Sequence, residues 1–364
     1  MRINPEYVDA VRQASTAEEL KPLIQEAIKL EHATIPPYLC GYFTLKLGTN
    51  KEVGEIIRSV VIEEMLHMTI ACNLLLAIGG KPSINSPDFV PSYPGGLPFG
   101  IGEMEDPDGK EEPLVIHLRK CSKELIENTF MNIEKPDEPI VIPDVQALMA
   151  SSAELQFDTI AAFYHFLAEK IGELGDDIFL PDADQVVATK WFTDPKEMFA
   201  ITDVESARRA IAVIVDQGEG TSKDPFDDQG VPAHYYRFAE IVHGRKLIHT
   251  GDPEKPYAYA GDPVTLTEVD VWNMDSDPAI ARYKPGSLSE RVAIQFSYSY
   301  TRALNALHEA FNGRPDALDD AMGIMYELRL LAQQVLSTPA EWADGNCKTA
   351  AQTGLSFEYR TTNT

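Results

Sequence analysis

A buried charge has to be compensated, and this chain sets acids where a helix expects hydrocarbon. Ile57, Val60, Val61, Met68, Ala71, Leu74 and Leu75 recur at the three-and-four spacing of one helical face, and Glu64 and His67 fall in its middle. Burying an ionised carboxylate there is strongly unfavourable unless a cation or a proton offsets it. Residues three apart share a face, so Glu64 and His67 aim a carboxylate and an imidazole at one point. That is the geometry of a metal chelate.

Glu31 repeats the anomaly, with Ile24, Ala27 and Ile28 before it and Thr34 and Ile35 after it on one face. Gly48-Thr49-Asn50 reads as the turn between two helices. From Thr49, Glu31 lies roughly 18 residues back and Glu64 roughly 15 forward, so at ~1.5 Å per residue they reach similar depth in an antiparallel hairpin. An isolated Glu-x-x-His also suits a surface acid beside a core histidine; the matched depth of Glu31 favours a shared ion. Glu63, four before His67, reads as a solvated residue or a hydrogen-bonding partner of the imidazole. Pro36-Pro37 predicts a kink in the first helix.

The formal charge of −26 over 364 residues argues against nucleic-acid or anionic-membrane partners, which demand clustered Lys and Arg. Cys40, Cys72, Cys121 and Cys347 form no Cys-x-x-Cys pair, which predicts buried free thiols and a cytoplasmic protein. The start Met1-Arg2-Ile3-Asn4-Pro5 has no apolar signal core, and no membrane-spanning run is expected. Such a chain is compatible with a homo-oligomer.

After Gly79-Gly80 the pattern becomes irregular and rich in Pro and Gly, with a strand-like run Leu114–Leu118 in which His117 reads as structural. So long a crossover predicts a lid or pocket wall. A third helix is expected from about Asp144 to Leu174, with Leu148, Leu155, Thr159, Ala162, Phe163 and Phe166 facing the core. A shorter one runs from Val204 to Val215, and after a polar loop another from Ala233 to about Lys246. Thr250–Gly286 reads as an irregular connector, and two helices follow over Ser287–Phe311 and Pro315–Leu336. The ending Gly354–Tyr359 is expected to return to the body. The division expected is 1–249, a metal-binding bundle with the insert 80–143, and 250–364, a connector with a helical extension on the bundle.

Leu30-Glu31-His32-Ala33-Thr34-Ile35-Pro36-Pro37-Tyr38-Leu39, Glu63-Glu64-Met65-Leu66-His67-Met68, Val213–Gly220, His234–Phe238 and Ser356–Tyr359 together form a distinctive set. They resemble the ferritin-like family that includes iminophenyl-pyruvate dimer synthase. The resemblance runs from about residue 20 to the tail. It implies a mainly α fold: a ferritin-like four-helix bundle with a long irregular crossover insert and additional C-terminal helices. It implies Glu31, Glu64, His67, Glu219 and His234 as metal ligands. Spacing alone offers a rival in Glu240 and His243, another Glu-x-x-His. Where the family pattern carries a glutamate in the third helix, this chain has Ala162, with Asp158 and His165 one turn to either side as substitutes. Loss of that ligand predicts an asymmetric centre.

Carboxylate and imidazole donors suit non-haem iron, with manganese as the alternative, and the absence of inward thiolates argues against structural zinc. The expected function is an oxidoreductase with one or two metal ions, using O2 or peroxide on a small-molecule substrate. The resemblance implies an amino-acid-derived imine and secondary metabolism. Tyr38, Tyr164 and Tyr236 are candidate pocket residues. The alternative is a metal-poor scaffold or binding protein; the long inserts argue against an iron-storage cage.

Overall fold

The computed structural model describes residues 3–101, 114–136, 140, 142, 159–187, 190–218, 224–227, 229–345 and 351–361. The first long helices are α1 (Pro5–Gln13), α2 (Ala17–Thr44) and α3 (Lys51–Ala77). Glu19 Oε2 accepts the amides of the N-cap Thr16 and of Ser15 before it, at 3.2 and 2.7 Å, fixing the chain's entry into α2. Gly48 (φ 81°) and Asn50 (φ 46°) take the left-handed conformation that turns the chain tightly from α2 into α3. The helix α2 is continuous through Pro36 and Pro37. Pro37 has no amide to offer Ala33, and the Tyr93 hydroxyl donates to that freed carbonyl at 2.8 Å.

The crossover after α3 holds single-turn helices at Pro87–Phe89 and Pro98–Gly100. Leu114–Leu118 is no strand: only Ile116 bridges, to Gly95, and His117 Nδ1 lies 2.7 Å from Asp277 Oδ2. There follows a short helical segment, α4, in which Lys123–Leu125 is α-helical, Ile126–Phe130 winds as a π-helix and Met131–Ile133 returns to α.

The other half of the bundle is α5 (Ile160–Leu174), α6 (Val204–Gly218) and α7 (His234–His243). The helix expected from Asp144 is seen from Ile160; 143–158, with Leu148, Leu155 and Asp158, lie outside the described residues. Helix α5 packs on α1 and α6, and both α6 and α7 pack on α3. Gly244 (φ 75°) ends α7 before the expected Lys246. The expected connector holds instead an antiparallel hairpin, β1 (Arg245–Asp252) with β2 (Lys255–Pro263), whose register shifts twice. Its prolines and register shifts hide the strand pattern in sequence.

Helices α8 (Leu288–Ala310) and α9 (Ala317–Leu336) form a second hairpin, and α9 packs on α2. The tail returns to α8: the Ser297 hydroxyl donates to the Ser356 carbonyl at 2.6 Å, and Phe357 meets Phe296 and Tyr300 edge-on. One continuous core joins α2 and α3 to α8 and α9. By length and composition α3 could cross a membrane, contrary to the expectation of no such run. With 83% of its most apolar window buried in the bundle, it has the character of a core helix.

Candidate metal centre

Glu31 and Thr34 of α2 and Glu64 and His67 of α3 face one another across the hairpin. The Glu31, Glu64 and His67 side chains each offer a ligand atom within 4.8 Å of the others, and so do Glu64, Glu134 and His234. Glu64 belongs to both groups. None of the five is more than 8% exposed, so their charges must be settled within the protein.

Each outer carboxylate divides its oxygens in the same way. Glu31 Oε1 accepts the Tyr164 hydroxyl, and Oε2 lies 3.7 Å from His67 Nδ1. Glu134 Oε1 accepts the Tyr38 hydroxyl, and Oε2 lies 3.4 Å from His234 Nδ1. Between them Glu64 Oε1 is 2.9 Å from His234 Nδ1 and 4.0 Å from His67 Nδ1, while Oε2 is 2.8 Å from Thr34 Oγ1. The imidazoles of His67 and His234 stack, ring centres 5.5 Å apart.

Both histidines are oriented from behind. Gln217 Nε2 donates to Glu197 at 3.0 Å, which turns its Oε1 toward His67 Nε2 at 2.9 Å. His67 Nε2 therefore carries the proton and Nδ1 presents a lone pair to the acids. His234 Nε2 lies 2.9 Å from Glu63 Oε2, and Arg237 grips Glu63 through both guanidinium nitrogens. Glu63 is thus the partner of His234, not of His67 as expected. Though burial opposes its charge, His234 and Arg237 hold Glu63 down to about 2.

Burial, then the Glu134 charge, pushes Glu64 up to about 7. Burial and the Glu64 charge likewise raise Glu31 well above the usual carboxylate range. Burial opposes the imidazolium at His234, but Glu134, Glu63 and Glu64 prevail and raise it well above normal. His67 is held down to about 3 by burial and by the His234 charge. Fully buried His234 Nδ1 faces two carboxylates yet makes no well-angled hydrogen bond. Clustered acids and inward imidazole nitrogens fit a divalent cation, and in its place only protons can relieve the repulsion.

The structure brings Glu31, Glu64, His67 and His234 together; Glu219 lies outside the described residues. The rival pair does something else. Glu240 is buried, accepting the Leu247 amide at 2.9 Å and pairing with Lys246 at 2.7 Å, so it anchors the β-hairpin. His243 is exposed and stacks on Tyr259. Ala162 is only partly buried and His165 is exposed; Tyr164 takes the inward position on α5. Among the described residues each end has a glutamate, a histidine and a tyrosine, so these donors do not carry the asymmetry expected from Ala162; Asp158 and Glu219 lie outside them. Tyr236 lies elsewhere, its hydroxyl accepting the Ile140 amide at 2.9 Å.

Glu134 is the residue that sequence reasoning missed. It follows Ile133 at the end of α4, and its amide donates to the Phe130 carbonyl at 3.1 Å. Ile126, Phe130 and Ile133 are buried, and a helical reading of 123–134 would have set Glu134 one turn beyond Phe130. A π-helical turn beside a buried acid is a feature common at functional sites.

A crystal structure of a ferritin-like protein from Caulobacter vibrioides, at 1.95 Å resolution, is similar over 93% of this chain and 97% of its own. The TM-score is 0.57 at 21% identity, a likeness of fold. No curated protein matches the chain. The ferritin-like family model matches residues 24–243, which include both Glu/His groups and more than half of the sequence. The chain belongs to the ferritin-like family.

Proposed function

We propose that the protein is a metal-dependent oxidoreductase that uses O2 or peroxide on a small molecule, with non-haem iron as its metal and manganese as the alternative. The observation that supports this reading is the sharing of Glu64 between two buried Glu/His groups. Glu31, Glu64 and His67 would hold one ion, and Glu64, Glu134 and His234 a second. Glu219 remains a proposed further ligand on the strength of the family resemblance. When bound, the metal would supply redox chemistry that these side chains do not provide.

The chain's own part is orientation and access. Tyr164 and Tyr38 each fix one oxygen of Glu31 and Glu134, leaving the other free to bind. Gln217 and Glu63 set the histidine tautomers, so that Nδ1 is the donor atom in both rings. Burial of all five residues excludes bulk water from the centre.

The resemblance to the family that includes iminophenyl-pyruvate dimer synthase supports an imine or enamine substrate from an aromatic amino acid, within secondary metabolism. Free buried Cys40, Cys72 and Cys121 support a cytoplasmic setting. A second reading, a scaffold without metal, draws on the raised carboxylates, because protons can stand in for cations in a folded centre.

The test is elemental analysis of protein grown without metal bias, joined to an anomalous-scattering map and an oxygen-uptake assay. Stoichiometric iron at the centre, with uptake lost in Glu64→Ala, is the expected result. Protein without stoichiometric metal or oxygen uptake would establish the scaffold instead.

A further inference from the structure

We propose that an apolar cavity between the α2–α3 hairpin and the α8–α9 hairpin binds dioxygen beside the metal centre. The delivery role rests on the O2-dependent reading above; the occupancy does not. On α2 the cavity is lined by His32, Ile35 and Leu39, each one residue beyond Glu31, Thr34 and Tyr38, which serve the centre. On α3, Met65 and Met68 line it, each one residue beyond Glu64 and His67. The same turns of both helices thus carry the centre on one face and the cavity on the next. Tyr300 and Leu304 of α8 line the far side.

Volume and polarity decide the occupant. The cavity holds about 40 Å³. A benzene-sized molecule occupies a void of about 150 Å³, so an aromatic ring is too large. Two or three waters would fit by volume, but each needs 2–4 polar partners. The polar lining offers few: the Thr69 hydroxyl donates to the Met65 carbonyl at 2.7 Å, and the Tyr300 hydroxyl lies 2.7 Å from His32 Nε2. With those hydroxyls engaged, His32 Nδ1 is the one buried polar side-chain atom of the lining left without a partner, fewer than a water needs. A small apolar diatomic fits it, and dioxygen is the one that a redox metal next door consumes.

Dissolved dioxygen is paramagnetic, so it speeds the relaxation of any methyl group it approaches. In metal-free protein with labelled methionine methyls under oxygen pressure, Met65 and Met68 should relax severalfold faster than Met198 and Met274, which are buried elsewhere. Equal rates at all four would overturn the proposal. Leu304→Phe should fill the space and remove the enhancement, and Ala303→Val does so more gently if the larger residue prevents folding. Enhancement that persists in a folded, filled variant also overturns it. In metal-loaded protein the filled variant should need severalfold more O2 for half-maximal uptake; an unchanged requirement would refute delivery through this cavity. Loaded protein that consumes no oxygen would refute the oxidoreductase reading and the delivery role, while the methyl relaxation still decides the occupancy.

Discussion

Glu63 Oε2 stands 2.9 Å from His234 Nε2, on the ring nitrogen opposite the one that faces the acids. The carboxylate is itself held by Arg237, which is nearly fully buried and also donates to Ser59 at 3.0 Å. One acid therefore fixes the tautomer of His234 and neutralises a buried guanidinium. Glu63→Gln keeps the shape and removes the charge. Metal affinity should fall about 10–100-fold, the usual cost of losing such an outer partner, as read by competition with a coloured chelator. An unchanged affinity in folded protein would deny Glu63 this role.

Because Glu64 serves both groups, its loss should differ in kind from the loss of an outer glutamate. Glu64→Ala should empty both positions. Glu134→Ala should spare the position formed with Glu31 and His67, leaving about half the metal by elemental analysis. Equal metal content in the two variants would contradict a shared carboxylate.

Replacing His234 by Ala should release metal, whereas His243→Ala should leave metal content unchanged, because His243 is exposed and stacked on Tyr259. Thermal unfolding of both variants checks that folding is equal. Metal loss in His243→Ala alone would move the site to the other end of α7.

The α2–α3 half of the centre was legible because two signals coincide there: acids inside apolar stripes, and matched distances from one turn. Glu134 carried only the first and more weakly, an acid one turn beyond Phe130 with no partner at matched depth, in a short segment after an irregular crossover whose π turn precedes it. The β-hairpin was hidden for a related reason, since Pro256 and Pro263 and two register shifts interrupt the alternation of strands. Ala162 misled through phase. The resemblance set it inward, but the buried positions of α5 are Ala161, Phe163, Tyr164, Leu167 and Ile171.

The buried acids also set a pH dependence. Glu64, pushed up to about 7, keeps its proton in the folded protein where the unfolded chain has lost it, so this contribution to stability fades as pH rises from about 4.5 to 7. His67, held down to about 3, acts oppositely, adding stability as pH rises from about 3 to 6.5. Above about 6.5 that gain is complete, and Glu64, Glu31 and His234, all raised, act together to weaken the fold as their protons leave. Metal-free protein should lose on the order of 1 kcal/mol of unfolding free energy between about pH 6.5 and 8, and Glu64→Gln should lose less. Bound cations replace those protons, so loaded protein should show a flatter profile in urea titrations. A metal-free profile as flat as the loaded one would show that the acids are not protonated in the folded state.

The last prediction separates Ala162 from Tyr164, two positions on the same helix. Ala162 is partly exposed, so Ala162→Glu would place its carboxylate toward the edge of α5 rather than among the ligands, and metal stoichiometry should not change. Tyr164 is buried, and its hydroxyl donates to Glu31 Oε1. Removing that hydroxyl in Tyr164→Phe leaves a buried carboxylate oxygen short of a donor, at about 1–3 kcal/mol. The loss falls on metal-free and loaded protein unequally, because Glu31 is anionic when it binds a cation and can be protonated when it does not. The hydroxyl favours the anion, so Tyr164→Phe should weaken metal binding at the Glu31 position by about tenfold, roughly 1.4 kcal/mol. Metal titration of both variants reads the difference. A gain of metal in Ala162→Glu, with no weakening in Tyr164→Phe, would show that α5 turns its alanine inward and that the tyrosine is only part of the core.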